Sequence, residues 1–550
     1  MSEQTLPKRA TMNKVLFFDT ETEGLYGANR LCQLKWLGSK DVLILERDTD
    51  KAKDILLEAD TIVVHNAFYD FNCPEFEGFK FDGKLFDTLL AAKYDTPCAK
   101  GFSLKDCLER YGIGTKGEEG ASNWSGELTT EQLDYAADDV ILLEELYLQL
   151  RYLEGNKAFR MDMHNYKYAL IYSHNGFPVL HKNRLDFIDK FVNKESELKS
   201  LLPDTLNVNS PKQVTEFLGI PKSNKEALVN LGTEYARTIL ELRGVQKKLT
   251  TLRNKFNYSR IKGIFKPAQA KSGRWTCSKR GNKTGQYQNL QQIDRDLKTV
   301  FGFEESNDLY LVDADYTSLE MYTAGAVFSS DTMLNLLYDG KDLHRYTASK
   351  VYNIAESQVT KSQRQIAKGV NFGTLYGAGV EVVSIFIQTY TGLKLPINEV
   401  AKLRTAWLDT YPDIREYHAK KGIAFRNNKN VMVYTPMGRP TCAESYTESI
   451  NIPAQGMGAE ATKTALYLLY NRLPNVKVVN TVHDSLILEV KGFEEAKMAA
   501  CILKECLDDS WDRVKRYIKD PLPILNKLEM DNIATVHKVY EGDVLWSTEL

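Results

Sequence analysis

Two apolar runs that each end on a carboxylate constrain this chain more than any other feature. In LVDADYTSLEMYT (residues 311–323), Leu311-Val312 leads into Asp313 and Asp315, and the segment then takes helical spacing through Leu319, Glu320 and Met321. In VVNTVHDSLILEV (478–490), Asp484 interrupts two β-rich runs. A carboxylate at the end of a buried strand is costly unless a cation meets it. Two of them from different strands make an oxygen cage suited to Mg²⁺. Either Asp alone can also be read as a turn residue between two strands of a hairpin, Asp484 as readily as a metal ligand. Together, about 170 residues apart, they point to a two-metal site for phosphoryl transfer.

A length of 550 residues predicts roughly three or four domains, and 43% hydrophobic with 26% charged residues is ordinary for globular protein. No apolar run approaches the roughly 20 residues of a membrane span. MSEQTLPKRA, at the start, lacks the apolar core of a signal peptide. No membrane partner is expected, and the cytoplasm is the expected compartment. Eight scattered cysteines without a CxxC pair predict free thiols. A net charge of −2 names no partner, but Arg237 to Lys298 holds 16 Lys/Arg against three acids. Phe256, Tyr258, Phe265, Trp275 and Tyr287 interleave with them. That stripe is the footprint of a phosphate backbone, whereas a merely solvated basic face would carry compensating acids.

Near the N-terminus, KVLFFDTE (14–21) reads as a buried strand, and period-2 spacing turns Asp19 and Glu21 to one side. TIVVHNAFYD (61–70) delivers Asp70 after a similar run. LDYAADDVILLEELYLQL has helical spacing, with Tyr135 and Asp139 four apart on one face. Four acids from two strands and a helix can bind two divalent ions and activate water beside a phosphodiester. FDTE, HNAFYD and YAADD resemble the three motifs of the DnaQ-like 3′→5′ proofreading exonucleases over about residues 12–155. The resemblance implies that Asp19, Glu21, Asp70 and Asp139 hold two metals, that Tyr135 orients the attacking water, and that Asp87 supports the fold.

Further on, Ser210 is a predicted N-cap before Pro211, and a long helix is expected over roughly 224–256. In SQRQIAKGVNFGTLYGAG (362–379), Arg364, Lys368, Phe372 and Tyr376 recur every four residues, along one slowly drifting face of a helix. Arg and Lys suit a triphosphate as fork and point charge, and Phe372 can stack on a base. Gly373 and Gly377 would allow close approach of a ligand or template.

RxxxKxxxFxxxY, with ADYTSLE and VHDSLILEV, closely resembles motifs B, A and C of the family A DNA polymerases. SGR, NLQQI, DLH, YPDIREY, MGR and NIPAQG fit that family in their proper places, so the resemblance spans roughly 160–550. It implies an α/β multidomain chain. A ribonuclease H-like exonuclease fold (1–155) precedes a right-hand polymerase: thumb and start of palm (156–300), palm (301–341), fingers (342–440) and palm again (441–550). It also implies that Asp315 and Asp484, with the carbonyl of Tyr316, bind two Mg²⁺ ions, for which Mn²⁺ can substitute. Arg364, Lys368 and His344 would hold the incoming triphosphate, Phe372 would stack near base and sugar, and Tyr376 would guard the templating position. Glu320 would block a 2′-hydroxyl. Arg274, Asn289, Gln291, Asn451, Gln455 and His483 would contact the DNA. Minor-groove acceptors are nearly alike for every base pair, so such contacts test geometry rather than sequence.

There are departures. Met321-Tyr322, Thr447 and Ser485 stand where many members have an Arg, an Arg and an acid. With no room before Asp19 for a 5′-nuclease domain and no long thumb insertion, the chain looks like a compact phage replicative polymerase in a host cytoplasm. A monomer acting on primer–template DNA and dNTPs is expected, with processivity or replisome factors of host or phage left open. The rival readings are a single-subunit RNA polymerase, against which the exonuclease motifs and Glu320 speak, a nuclease whose C-terminal part only binds DNA, and a non-catalytic DNA-binding protein.

Overall fold

A computed structural model describes residues 14–24, 27–116, 123–278, 285–428, 430–482 and 484–549. Two five-stranded sheets organise the chain. In the first, Val15–Thr22 is central, antiparallel to Asn29–Trp36 and parallel to Thr61–Val64, with Leu43–Glu46 and Lys84–Asp87 at the edges. Leu16, Phe17 and Phe18 are wholly buried, as an unbroken apolar run covered on both faces should be. Helix Thr130–Leu150 packs on this sheet and opens with a capping box between Thr129 and Gln132, which satisfies two otherwise orphaned N–H groups. Asp87 ends the edge strand and accepts from Ala67 N–H (2.8 Å) and Leu90 N–H (3.1 Å), tying two helix starts to the sheet.

The second sheet runs Lys477–Val482, Ser485–Lys491, Leu309–Asp315, Ile533–His537, Val544–Ser547, with every neighbour antiparallel. Helix Phe493–Val514 covers it, and helix Tyr446–Arg472 packs on that helix. Helices Leu343–Tyr352, Lys361–Leu375, Val380–Thr391 and Ile397–Thr410 share a separate core around Val370, Leu375, Val383, Ile387 and Trp407.

Two local expectations need correction. The helix expected over 224–256 is three pieces. Lys225–Leu231 stops at Gly232, whose φ is +62°, Thr233 caps Glu234–Thr250, and Thr251–Lys255 widens into a π turn. Gly in the left-handed conformation ends a helix more readily than any other residue. Ser210 and Pro211 do open the helix Pro211–Leu218. The motif B glycines, for their part, make room for protein. A Cβ on Gly369 would stand 2.7 Å from Ile387 Cα, one on Gly373 3.1 Å from Val383 Cα, and one on Gly377 2.7 Å from Ile450 Cδ1. They set the approach of neighbouring helices.

Where the two sheets' surroundings meet, Asp162 accepts from Tyr94 Oη at 2.6 Å, from Lys463 Nζ at 2.5 Å and from Arg439. All four residues are buried. Asp162→Ala would strand two buried cations, so a loss of about 3–5 kcal/mol is expected in urea unfolding. A loss within the range of a surface ion pair would show that the cluster is solvated. Cys98 and Cys442 form a disulfide across the same junction, with Cα atoms 5.0 Å apart, while the other six cysteines are free. The expectation of free thiols throughout is thereby corrected; a separation of 344 residues leaves no spacing signal.

Candidate active sites

Asp19 and Glu21 project from the central strand of the first sheet, and Asp139 reaches them from helix Thr130–Leu150, one turn after Tyr135. Carboxylate oxygens of Asp19, Glu21 and Asp139 lie within 4.8 Å of one another. Asp70 stands beside this trio, fully buried. One of its oxygens accepts from Thr20 Oγ1 at 2.9 Å, and the other has no hydrogen-bond partner.

Burial, reinforced by Asp19 and Asp139, pushes Glu21 up to about 9. Burial and the charge of Asp19 push Asp139 up to about 7, and burial also raises Asp19 and Asp70. A set of hard oxygens that repel one another when empty fits a divalent cation. Among the described residues, the cation paired with this set is Lys116, which belongs to no sequence pattern. Its Nζ lies 2.7 Å from Asp139 Oδ1 and 4.6 Å from the centroid of the Tyr135 ring.

These raised values fix the sign of a pH effect. The metal-free native state keeps protons that the unfolded chain releases near pH 4, so this stability is whole below about pH 4 and is lost as pH climbs through about 7 for Asp139 and about 9 for Glu21. In EDTA the melting temperature should therefore fall between pH 5 and 9, and saturating Mn²⁺ should flatten the fall. A melting temperature in EDTA that rises over that range would contradict the assignment.

In the second sheet, Asp315 ends the strand Leu309–Asp315, and Asp484 sits at the turn of the adjoining hairpin. Both line a cleft of about 380 Å³, with Asp313, Tyr316, Glu320, His344 and Phe372. Desolvation, then the charge of Asp484, pushes Asp315 up to about 6, so this pair also suits a divalent cation. Asp313 shares the face of Asp315 and is pushed up to about 7 by burial and by Asp315. Its alternation with Asp315 made it legible, yet it was not among the expected site residues. Arg274 Nη2 lies 2.8 Å from Glu320 and 3.9 Å from Asp484, so the cation meant for the minor groove rests among the cleft's carboxylates.

Arg364, Lys368 and Phe372 occupy successive turns of helix Lys361–Leu375, with Tyr376 as its C-cap. Arg364 Nε donates to Asp342 at 2.7 Å, and Lys368 Nζ lies 5.0 Å over the Tyr390 ring. Phe372 stacks on Tyr390 at 5.9 Å and meets His344 at 5.7 Å. Burial and then Arg364 push His344 down to about 4, so it is neutral at pH 7. Asn371 Nδ2 donates to its Nδ1 at 2.7 Å, which leaves the proton on Nε2. Asn371 in turn accepts from Trp407 Nε1 at 2.5 Å and Thr347 Oγ1 at 3.0 Å. Asn371 and Tyr390 were not legible as site residues, because their roles depend on helices that meet only in the fold.

The residues expected to touch DNA are dispersed. Asn289 accepts from Gln291 N–H and caps its turn, and Gln291 donates to Thr481 O at 3.2 Å, so Gln291 braces the Asp484 hairpin. Asn451 and Gln455 are half-buried on helix Tyr446–Arg472, and His483 lies outside the described residues. Much of the basic stripe is neutralised in the fold: Lys248 by Asp296 of the stripe itself, and from outside it Arg260 by Glu489, Lys262 by Glu77, Lys271 by Glu444 and Glu448, and Lys298 by Glu541. The charge count along the sequence overstated the free positive charge. Among the described residues Arg237, Arg253 and Lys255 make no ion pair and stay available.

Residues 178–519 match the family description "DNA polymerase family A", and residues 3–153 match "3'-5' exonuclease". DNA polymerase I of Aquifex aeolicus is 26% identical, with 94% of this chain and 95% of that one aligned. DNA polymerase I of Caldicellulosiruptor bescii is 25% identical over 68% of this chain, which spans only 48% of that protein. Thermostable DNA polymerase I of Thermus aquaticus is 23% identical over 59% of this chain and 42% of its own length. Among solved structures, the POL domain of Pol1 from M. smegmatis, in a complex with DNA primer-template and dNTP, superposes with a TM-score of 0.75 at 17% identity, covering 96% of each chain. At that identity the likeness speaks for the fold.

Proposed function

The chain belongs to DNA polymerase family A, with a 3′–5′ exonuclease domain ahead of the polymerase part, and from this premise we propose how its two sites divide the work. One site extends a primer on a DNA template with deoxynucleoside triphosphates; the other removes nucleotides from the 3′ end. The observation that carries this reading is the pair of carboxylate sites on two different sheets of one chain.

Asp315, Asp484 and the Tyr316 carbonyl would hold divalent cations at the first site, and Asp19, Glu21, Asp70 and Asp139 would hold them at the second. Mg²⁺ is the proposed ion, replaceable by Mn²⁺. When bound, such ions activate the attacking oxygen and neutralise charge on the leaving group. The chain's own groups supply the rest. Lys368 and Arg364 hold the triphosphate, and Asp342 fixes the Arg364 fork. His344 donates from Nε2 as a neutral imidazole. Phe372, backed by Tyr390, stacks beside the base, with Tyr376 next to the templating position. Tyr135 orients water at the exonuclease site. Arg274, Asn451 and Gln455 face the primer end, with Asn289 and Gln291 behind the hairpin.

The domain bounds follow as 1–155 exonuclease, 156–300 thumb and start of palm, 301–341 palm, 342–440 fingers and 441–550 palm. The chain acts as a monomer on primer–template DNA inside the cell. A labelled primer–template with Mg²⁺ tests the function: extension with dNTPs, shortening without them. No extension at all would leave a nuclease that only binds DNA through its second part.

Glu320 decides between deoxy- and ribonucleotide use, and with it the RNA polymerase alternative. Its carboxylate is held over the cleft by Arg274. Rejection by bulk is lifted when the bulk is removed, so Glu320→Ala should raise rATP use relative to dATP by about 10–200-fold. An unchanged ratio with normal dATP use would remove the gate.

A further inference from the structure

We infer that Lys116 is a resident counter-cation of the exonuclease carboxylates and competes with the divalent ion for Asp139. The inference rests on the exonuclease reading above and adds a residue that the motifs do not name. Lys116 enters from the segment between helix Leu104–Tyr111, which ends at Gly112, and helix Thr130–Leu150. Its side chain is 19% exposed, while that of Asp139 is 1% exposed, so the ammonium reaches into a site largely closed to water. Among the described residues no other cation pairs with Asp19, Glu21 or Asp139.

The ammonium occupies Asp139 Oδ1 at 2.7 Å. A divalent ion takes carboxylate oxygens at about 2.0–2.6 Å. Sharing one oxygen would bring the two positive charges within a few ångströms in a poorly screened site, which is strongly unfavourable. Binding of the ion at Asp139 therefore displaces the amine. Without the ion, Lys116 offsets the repulsion among the three acids. A flexible stem with a point charge suits an exchanging partner better than a planar guanidinium, and the Tyr135 face keeps the displaced amine nearby. Lys116 thus acts as a positioning residue: it holds the empty site in shape and lowers its affinity for metal.

The test uses the full chain in an Asp484→Asn background, which silences the polymerase-site carboxylate. Mn²⁺ binding is followed by calorimetry, and melting is measured in EDTA. Lys116→Met should bind Mn²⁺ about 10-fold tighter or more, the scale on which groups just outside a metal's ligands tune affinity, and should melt lower in EDTA than its parent. Lys116→Arg should melt in EDTA close to its parent. Lys100→Met, which removes the same charge from an exposed position of the same domain, should move neither quantity appreciably. Unchanged or weaker Mn²⁺ binding by Lys116→Met, or an equal gain in Lys100→Met, would overturn the inference. Asp19→Ala in the same background separates the two levels. If it abolishes Mn²⁺ binding while Lys116→Met does nothing, only the role of Lys116 falls. If Mn²⁺ binding and 3′-end removal both survive Asp19→Ala, the exonuclease reading falls and the inference falls with it.

Discussion

Asp484→Asn should abolish primer extension, by about 10³-fold or more, and leave 3′-end removal near the parent's rate; Asp19→Ala should do the reverse. The size follows from losing several kcal/mol of transition-state charge stabilisation when a metal carboxylate goes. Asn keeps the shape of Asp484 at a tight hairpin turn, so the change removes charge rather than the fold. The selectivity follows from architecture. Asp19 lies on a strand paired with Asn29–Trp36 and Thr61–Val64, and Asp315 beside Asp484 lies in a second sheet with which it shares no strand. Both sites relax inward repulsion through their own counter-charges, Lys116 in one and Arg274 in the other. A folded Asp19→Ala protein that failed to extend a primer would contradict the division. So would an Asp484→Asn protein that kept extending.

Lys368→Ala should slow nucleotide incorporation by about 10²–10³-fold, the usual loss when one charge aimed at the reacting phosphate is removed. DNA affinity and its salt dependence should hardly move. Lys368 sits one turn after Arg364 and one before Phe372, on a helix facing the Asp315 cleft, and no acid pairs with it among the described residues. Its ammonium lies instead over the ring of Tyr390. The unpaired cations between residues 237 and 255 are expected to behave oppositely. Neutralising Arg237, Arg253 and Lys255 together should flatten the salt slope by about 0.9 for each phosphate no longer neutralised, with incorporation at saturating DNA intact. An unchanged slope would take these three cations off the DNA. A Lys368 variant that changed the slope and kept the rate would move Lys368 from the triphosphate to the duplex.

Much of this was legible in the sequence, for physical reasons that can be named. Asp19 and Glu21 break the apolar run of one strand, Asp315 ends another, and Asp484 interrupts two runs at a turn; a buried apolar run offers few other reasons to hold an acid. Arg364, Lys368 and Phe372 keep a helical period through a single helix, so their common face follows from spacing alone. What sequence reading missed depends on partners distant in the chain. The acids that neutralise Arg260 and Lys262 are Glu489 and Glu77. The cation on Asp139 comes from a connection without periodicity, and Cys98 finds Cys442 only once the two sheets' surroundings have met. The glycines of motif B misled for a related reason. Glycine permits close approach, but the sequence cannot say of what, and here the neighbours are Ile387, Val383 and Ile450.

The central claim is that one chain holds two separate carboxylate sites for divalent ions. Anomalous diffraction from crystals grown with Mn²⁺, primer–template DNA and a non-hydrolysable dNTP analogue tests it most directly. Mn²⁺ peaks are expected among Asp19, Glu21, Asp70 and Asp139, and further peaks between Asp315, the Tyr316 carbonyl and Asp484. Peaks at only one of the two clusters, or Mn²⁺ held by residues outside both, would contradict it.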